Sequence, residues 1–475
     1  MAELVLPGVY IEVRPEALIV GGPISVGNIG IVGTAKSGPI GEVTVLGSYS
    51  EAKEIFGAYD PFDAPETANK PLSLVRALEL AFDNGASTVF AVRVTETEAS
   101  AAGENFIAAW NKNTTARKAS HVVAGSGTTL KSKRHGSGGN AITVKVEDDP
   151  ADATKAIVTL KSGAIEETYS VPNGTTLTAQ VNAGSALVTA EGGAATKPTA
   201  TAETAFTGGL SGANASDADH KLGLDQLLNE NAHIILAAGL DDTVITNELK
   251  AHVEAASTDK LKRDRIAVVG SRPNPTLAQL IGHTVASDRM IFVAPGIKAT
   301  DSASSKEVTL PGSYAAAVIA GLLSARDPHI SLTNKSISVA ALETKFTPDK
   351  LEQLVTARVL ALEERRGFRV VKGITTDNGA FRQITTRRIV DFAKFGVRSA
   401  AEPYIGLLNN DRVRKALKAS INGFLAGMVD DEMLISYELD VTATRDEEIR
   451  GIARVTMTVR PTFSIDYIKV VMFLG

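Results

Sequence analysis

The stretch GIVGTAKS (residues 30–37) is the first segment whose residue types and spacing suggest chemistry. It approaches the phosphate-binding loop G-x-x-x-x-G-K-[ST], but Ala35 stands where the second glycine is required. Such a loop must also open a helix, because the N-terminal amides of that helix hold the phosphate. Ser37 is followed instead by Gly-Pro-Ile-Gly, which cannot continue a helix. The segment therefore predicts a plain strand followed by a turn.

A hydrolase triad is the second candidate, formed by Asp241 or Asp242 with His283 and Ser313. The stretch PGSYAAAVIAGLL (311–323) resembles the nucleophile-bearing helix of subtilisin-like proteases, and the chain order Asp, His, Ser is also theirs. However, the H-G-T-H-type histidine motif is missing, and the chain between His283 and Ser313 is far shorter than in that family. His283 is also predicted to lie in the middle of an amphipathic helix. We predict a protease-like fold without the protease, with a subtilisin-like hydrolase as an alternative.

Three further stretches carry glycine or basic residues. GSGGNAITVKV (136–146) predicts a β-turn ahead of a strand, since no helix follows it. KLKRDR (260–265) predicts a solvated loop, and RVRKALK (412–418) begins a helix. One face of that helix is an apolar stripe, whereas the basic residues beside or opposite the stripe form either a solvated face or a docking face for an acidic partner. The stripe is Val413, Leu417, Ile421, Phe424 and Met428, and the basic residues are Arg414, Lys415 and Lys418.

Composition excludes several classes of function. The 475 residues carry a formal net charge of −5 with both signs mixed, which argues against a nucleic-acid-binding surface over the whole molecule. There is no cysteine, which excludes disulfides and thiol chemistry and suits a reducing cytosol. The seven histidines show no metal-site spacing. Neither a secretory signal nor a membrane-spanning run is visible. We therefore predict no cofactor, no metal site, no direct contact with nucleic acid and no membrane insertion.

Alternating strands and helices predict an α/β core. HIILAAG, RIAVVGS and MIFVAPG predict buried strands, NPTLAQLIGHTVASDRM predicts a helix, and the alternation favours a largely parallel sheet. Residues 100–205 are rich in Ala, Thr, Gly and Ser, which predicts a β-rich insertion with low-complexity turns such as VNAGSALVTAEGGAATKPTATAE. After about residue 345 the pattern is α+β, with a helix predicted over LEQLVTARVLALEERRG.

Both ends of the chain are patterned as isolated strands. Near the N-terminus Val9, Ile11 and Val13 alternate with Tyr10 and Glu12, between two prolines. The C-terminal run alternates at first and then turns apolar on both faces, which is typical of a strand covered on two sides. We predict that these arms pair with other subunits, and that the C-terminal contacts are made by Phe463, Ile465, Tyr467, Ile468, Val470, Val471, Met472 and Phe473.

The stretch IVGTAKSGPIGEVTVLGSYSEAKEIFG (31–57) resembles the N-terminal signature of contractile-tail sheath proteins, which occur in tailed phages and related injection systems. GSGGNAITVKV is similar to the G-x-x-G-N-x-I strand of the family's inserted domain, and FTGGLSGAN is similar to the T-G-G-x-x-G return into the core. GFRVVKGITTD, FRQITTRRIVDF, GFLAGMVDDEMLISYELDV and RVTMTVRPTFSIDYIKVVMF resemble its C-terminal third. The positions that fit the N-terminal signature are Gly33, Ala35, Gly38, Pro39, Ser48, Phe56 and Gly57.

The resemblance implies a multidomain α/β and α+β fold, whose subtilisin-like core lacks catalytic residues. It implies the following domains: an arm over 1–22, a core over 23–98 and 207–350, a β-rich outer insertion over 99–206, an α+β domain facing an inner tube over 351–460, and an arm over 461–475. Arg414, Lys415 and Lys418 are the predicted tube contacts.

The function implied is structural. Such subunits stack as hexameric rings in a helix around an inner tube, and contract to drive the tube through a target envelope. The implied partners are further copies of the chain, the tube protein, the baseplate and the tail terminator. The implied location is a virion tail or contractile particle assembled in the bacterial cytoplasm. A non-contractile structural or adhesion assembly protein remains an alternative.

Overall fold

The computed structural model describes residues 27–62, 70–96 and 117–473. Two compact units are present. The first is Gly27–Asp327 with Leu332–Gln383, and the second contains Pro328–Ser331 and the described chain from Ile384 onward.

The strands of the first unit are, in chain order, β1 (Ile29–Thr34), β2 (Val43–Leu46), β3 (Val89–Val94), β4 (Ser120–Val123), β5 (Thr128–Ser132), β6 (Thr143–Asp148), β7 (Ala156–Ser162), β8 (Ile165–Val171), β9 (Val188–Gly192), β10 (Thr201–Ala205), β11 (Ile234–Ala237), β12 (Ile266–Gly270), β13 (Met290–Ala294), β14 (Ile297–Asp301), β15 (Lys306–Leu310), β16 (Ala341–Leu342), β17 (Leu360–Glu364) and β18 (Phe368–Val370). Its helices are α1 (Tyr49–Phe56), α2 (Leu74–Asp83), α3 (Gly174–Gly184), α4 (Asp217–Gln226), α5 (Thr246–Ala256), α6 (Leu277–Ile281), α7 (Gly312–Ser324) and α8 (Pro348–Thr356), with a 3₁₀ turn at Ser137–Ala141.

An eight-stranded sheet forms the centre of this unit, in the order β18-β17-β13-β12-β11-β1-β3-β2. The six inner strands are parallel, and only β2 and β18 at the edges are antiparallel. All residues of β1, β11, β12 and β13 are buried, as expected when helices cover both faces of a sheet. The observed architecture is mixed α/β with several sheets, as the strand–helix alternation predicts.

The predicted strand and turn at GIVGTAKS are confirmed. The turn after β1 carries Gly38 at φ 98°, and a Cβ there would lie 2.6 Å from the ring of Phe56. Ser48 caps α1 by accepting a hydrogen bond from the backbone N–H of Glu51 at 3.3 Å. The signature residues therefore form one packed unit, in which a glycine turn and a capped helix fit together around Phe56.

The insertion has an apolar core of its own. Sheets β4-β5-β9 and β10-β6-β7-β8 enclose buried residues that include Leu130, Val144 and Val158. The predicted low-complexity turns are wrong in part, because this stretch contains the end of α3 as well as β9 and β10. Asn173 caps α3, and Leu177 and Val181 place one buried face against the sheets.

Two predicted helices are shorter than the pattern suggested. The helix expected over residues 274–290 is limited to α6, which begins at the Thr276 cap and ends at Gly282. The helix expected over 351–367 ends with α8, and the next turn places Arg358 at φ 68°. The following Leu360–Glu364 segment is β17, which pairs in parallel with β13. Burial on both faces of the sheet outweighs helix propensity at this point.

The second unit contains α9 (Ile384–Ala401), a 3₁₀ turn at Glu402–Tyr404, α10 (Asp411–Asp430), β19 (Leu434–Thr442), α11 (Arg445–Ile449) and β20 (Arg454–Pro461). Helices α9 and α10 pack closely where Gly396 meets the ring of Phe424. The β19–β20 hairpin lies on α10, and its Leu434 and Val441 are buried in the same apolar core as Ile421 and Leu425. In the described chain no helix is long and apolar enough to cross a membrane.

Candidate assembly interface

The chain beyond β20 is an exposed apolar segment of the second unit. The backbone N–H of Thr462 still donates to the carbonyl of Met433 at 3.1 Å, but residues 463–473 belong to no helix or strand. The eight predicted arm side chains are between 60% and 90% exposed: Phe463, Ile465, Tyr467, Ile468, Val470, Val471, Met472 and Phe473. Contiguous exposed apolar surface of this kind marks a protein interaction site.

The β19–β20 hairpin offers a surface on which such a segment could pair. Its two strands are antiparallel, with Leu439 opposite Met457 and Val441 opposite Val455. It forms a two-stranded sheet, so among the described residues no third strand covers either outer edge. Two-stranded sheets are marginally stable alone, and open edges template the pairing of a further strand. Sequence reasoning predicted both strands but not that they form a separate two-stranded sheet.

The connection between β19 and β20, which contains α11, is fixed by an ion pair and by a helix cap. Thr444 and Glu447 form a capping box at the start of α11, and the Glu447 carboxylate also pairs with the guanidinium of Arg454 on β20. Hydrogen bonds from the Thr444 backbone N–H and from Arg454 lower the pKa of Glu447 to about 2. These contacts fix α11 against the start of β20.

Each predicted tube-contact residue pairs with a carboxylate of its own unit. Arg414 lies 2.9 Å from Glu448, Lys415 lies 2.7 Å from Asp411, and Lys418 lies 3.1 Å from Asp440; each distance joins a side-chain nitrogen to a carboxylate oxygen. Hydrogen bonds from Arg445 and from Arg414 hold the pKa of Glu448 below its usual range.

The predicted docking face therefore presents ion pairs rather than three unpaired cations. The pairs of Lys415 and Lys418 are exposed, and exposed ion pairs contribute only about 0–1 kcal/mol. They can exchange partners at little cost.

The Asp, His and Ser residues of the candidate triad make no hydrogen bond to one another. His283 does not lie in a helix, which corrects the prediction. Its Nε2 lies 2.7 Å from the carbonyl of Ala357, and its ring packs 4.7 Å from that of Phe292. Burial lowers the pKa of His283. The Asp242 carboxylate pairs with Arg272 at 2.8 Å, and the Ser313 hydroxyl is buried in α7 without a partner. This arrangement does not assemble a nucleophile and its base.

The N-terminal arm residues Val9, Tyr10, Ile11, Glu12 and Val13 lie outside the described residues. Within the described residues no cluster of three or more His, Asp or Glu side chains could hold a metal ion.

A buried junction that sequence reasoning missed holds the insertion on the core. The Arg93 guanidinium on β3 donates to three carbonyls, those of Gly38 (2.8 Å), His135 (2.7 Å) and Ser211 (3.2 Å). These carbonyls belong to the turn after β1, to the chain between β5 and β6 inside the insertion, and to the chain that returns from the insertion to the core. The glycine-rich stretch at 136–146 was the available signal.

Asn140 completes this junction. Its side-chain amide donates to the carbonyl of Gly209 at 3.1 Å and accepts from the Gly209 N–H at 2.9 Å. Gly136 has φ 131°, and a Cβ there would lie 1.9 Å from the carbonyl oxygen of Lys36. The predicted β-turn here is in fact a 3₁₀ turn, and its glycines permit backbone contact between insertion and core.

Comparison with known proteins identifies the class of protein that carries this architecture. The phage tail sheath protein central domain matches residues 213–376, and the phage tail sheath C-terminal domain matches residues 376–474. Together the two matches span more than half of the chain. The chain belongs to the tail sheath protein family, and it is a sheath protein of contractile phage tails or injection systems. No curated protein matches the sequence.

Solved structures share the fold at low sequence identity. A sheath tail protein from Desulfitobacterium hafniense is 17% identical with a TM-score of 0.68, covering 96% of this chain and 100% of that one. A sheath tail protein from Listeria innocua is 16% identical with a TM-score of 0.66, covering 94% and 95%. The helical sheath of the anti-feeding prophage in its contracted state is 14% identical with a TM-score of 0.57, covering all of both chains.

Proposed function

We propose that the chain is the subunit of a contractile sheath, which polymerises as stacked hexameric rings around an inner tube and shortens to drive the tube through a target envelope. The observation that carries this proposal is the exposed apolar segment 463–473, which directly follows an open-edged hairpin. Within the described residues neither the segment nor the outer edges of the hairpin have a partner, and assembly is proposed to supply one.

Strand addition is the proposed linkage. The C-terminal arm of one subunit pairs with an outer edge of the β19–β20 hairpin of a neighbour, and main-chain hydrogen bonds join the two. A donor at one site and an acceptor at another form a heterologous contact, which generates rings or helices rather than closed dimers. The N-terminal arm over residues 1–22 is proposed to act in the same way on another neighbour.

The remaining parts of the chain have proposed roles in that assembly. The first unit contains a subtilisin-like core that acts as a rigid block, since its Asp, His and Ser residues are not arranged for hydrolysis. The insertion over 99–206 faces outward, and the domain over 351–460 faces the tube. The contracted-state sheath of the anti-feeding prophage supports the proposed shortening, and a structure of that system's baseplate also matches this chain. Baseplate, tube and terminator proteins are the proposed partners, in a virion tail or contractile particle assembled in the bacterial cytoplasm.

Removal of residues 463–475 tests the linkage. We expect the purified full-length chain to form tubes of uniform width by negative-stain electron microscopy, and the truncated chain to remain soluble and unpolymerised. Ser464→Ala is the matched control, because it keeps the backbone and the apolar side chains, and it is expected to form tubes. Tubes assembled from the truncated chain would contradict the proposed role of the arm. Imaging sheathed tails before and after triggering tests the shortening.

A further inference from the structure

The turn between β17 and β18 gathers positive charge at the edge of the central sheet. Arg365, Arg366 and Arg369, here called the arginine hairpin, line with Asn334 an open groove of about 550 Å³. Arg365 pairs with Glu363 at 3.0 Å, and Arg369 donates to the carbonyls of Asn334 and Arg365. Arg366 is exposed and makes no ion pair with another described residue. The neighbouring Glu364 is neutralised by Lys345 at 2.5 Å. The three guanidinium groups therefore share the carboxylate of Glu363, which leaves a local charge of +2.

The end of α10 gathers charge of the opposite sign. Asp430, Asp431 and Glu432, here called the acidic helix end, are consecutive and exposed. None of the three makes an ion pair with another described residue. The acidic residues of α11 differ in this respect, because Glu447 pairs with Arg454, and Glu448 pairs with Arg445 and Arg414.

The acidic helix end also opposes the local electrostatics of its own helix. Asp430 is the last residue of α10 and Asp431 is its C-cap, where the helix dipole presents partial negative charge. Carboxylates destabilise a helix at that end, typically by about 0.3–1 kcal/mol each. Residues that oppose local stability are expected where a sequence serves a function.

We propose that the arginine hairpin of one subunit binds the acidic helix end of another copy of the chain. Among the described residues neither cluster is neutralised within its own unit, and their charges are complementary. The acidic helix end directly precedes β19, so the contact is continuous with the hairpin edge proposed to accept an arm. Guanidinium groups bind carboxylates with two parallel hydrogen bonds, which fixes orientation as well as adding attraction. The inference rests on the proposed function, since it requires polymerising subunits.

Charge reversal in two matched variants tests the contact. The hairpin variant carries Arg365→Glu and Arg366→Glu, and the helix-end variant carries Asp430→Lys, Asp431→Lys and Glu432→Lys. Lysine at a helix C-terminus favours the helix, so the second variant is expected to melt no lower than the unmodified chain. Each variant alone places like charges in contact. We expect the fraction of each that pellets as polymer to fall at least tenfold at about 0.15 M salt, where the Debye length is about 8 Å.

Mixing the two variants tests whether the contact joins different subunits. The acidic hairpin of the first variant is complementary to the basic helix end of the second. The unchanged acidic helix end of the first variant is complementary to the unchanged arginine hairpin of the second. An equimolar mixture is therefore expected to polymerise to within about threefold of the unmodified chain. Combining all five substitutions in one chain should restore polymerisation to the same degree.

Several results would overturn the inference. Single variants that polymerise normally while the unmodified chain forms tubes would contradict this contact and leave the proposed function intact. A mixture that stays defective would exclude complementary pairing. Binding of DNA by the unmodified chain at 0.15 M salt, lost with Arg366→Glu, would assign the hairpin to a nucleic acid instead. Failure of the unmodified chain to polymerise under any condition would contradict the proposed function itself.

A disulfide trap gives an independent readout, because the chain has no cysteine. The double variant Arg366→Cys with Glu432→Cys is expected to give a ladder of linked subunits when polymers are oxidised. Arg366→Cys alone is the control and should give at most a linked pair. Absence of the ladder from oxidised tubes of the double variant would contradict the contact.

Discussion

Arg93 is a single buried cation that connects three separate segments of the chain. Its side chain is fully buried and donates to three carbonyls. They lie in the core, in the insertion and in the chain that returns from the insertion to the core. Hydrogen bonds from a charged donor are worth about 1.5–3 kcal/mol, and acceptors that lose them remain buried and unsatisfied. Arg93 is thus one of the contacts, together with the Asn140–Gly209 pair, that hold the insertion on the core.

Replacing Arg93 by Met keeps much of its volume and removes all of its donors. We expect the free energy of unfolding to fall by about 3 kcal/mol or more, since three buried carbonyls lose their partner. Urea unfolding monitored by circular dichroism measures the change, and limited proteolysis should cut the chain near residue 135 or 210 faster. Arg412→Met, at an exposed position, is the control and should change stability by less than about 0.5 kcal/mol. A change equally small at Arg93 would show that the junction is held by other contacts.

At the scale of elements, a buried contact beside α5 makes the core sensitive to acid. Arg265 precedes β12 and donates to the carbonyls of Leu227, Leu228 and Glu230, and its Nη1 lies 3.0 Å from Nε2 of His252. Because arginine can only donate, His252 accepts through an unprotonated Nε2. Burial and the nearby Arg265 charge lower the pKa of His252 to about 3.

Stability should therefore decrease in acid. Between the ordinary histidine pKa of about 6.5 and the folded value, the unfolded chain binds a proton that the folded chain does not. The contribution of His252 is complete above pH 6.5, and it is lost as the pH falls from there toward 3. At pH 4 the loss is about 3 kcal/mol. His252→Gln keeps an acceptor for Arg265 but does not titrate, so its urea midpoint should vary less between pH 7 and pH 4. Equal variation in both proteins would contradict this assignment.

The same scale shows what sequence could and could not predict. The buried strands β11, β12 and β13 were predictable because short runs apolar on both faces fit few other structures. The helix predicted over 351–367 contains a run, Leu360–Leu362, that periodicity cannot assign; pairing with β13 makes it a strand. His283 was placed in a helix because its neighbours fit an amphipathic helical pattern. Its position is fixed instead by Phe292 on the next strand and by the carbonyl of Ala357, which is distant in sequence. The same holds for the candidate interface. The apolar alternation of the C-terminal arm can be recognised in the sequence, whereas the sequence does not show that β19 and β20 form a sheet of only two strands.

At the scale of the whole molecule, two exposed ion pairs of α10 can be changed to test assembly without much effect on the stability of the fold. Lys415→Glu with Lys418→Glu disrupts only exposed pairs, so we expect the melting temperature to change by a few degrees at most. If this face docks on an acidic inner tube, sheathed tubes should decrease strongly in electron micrographs, while free sheath polymers still form. Lys350→Glu on α8 is a control with the same type of charge change. Normal sheathing by the double variant would exclude these lysines from the tube contact.

The strand addition proposed above would make the two ends of any finite sheath chemically different. If every subunit donates strands in one direction and accepts them in the other, the subunits at one end keep unused donors, and those at the opposite end keep unused acceptors. A capping protein must therefore offer a strand edge at one end and a free strand at the other. Under that pairing the two ends need caps with different surfaces, and the polymer has a polarity that runs from donor to acceptor.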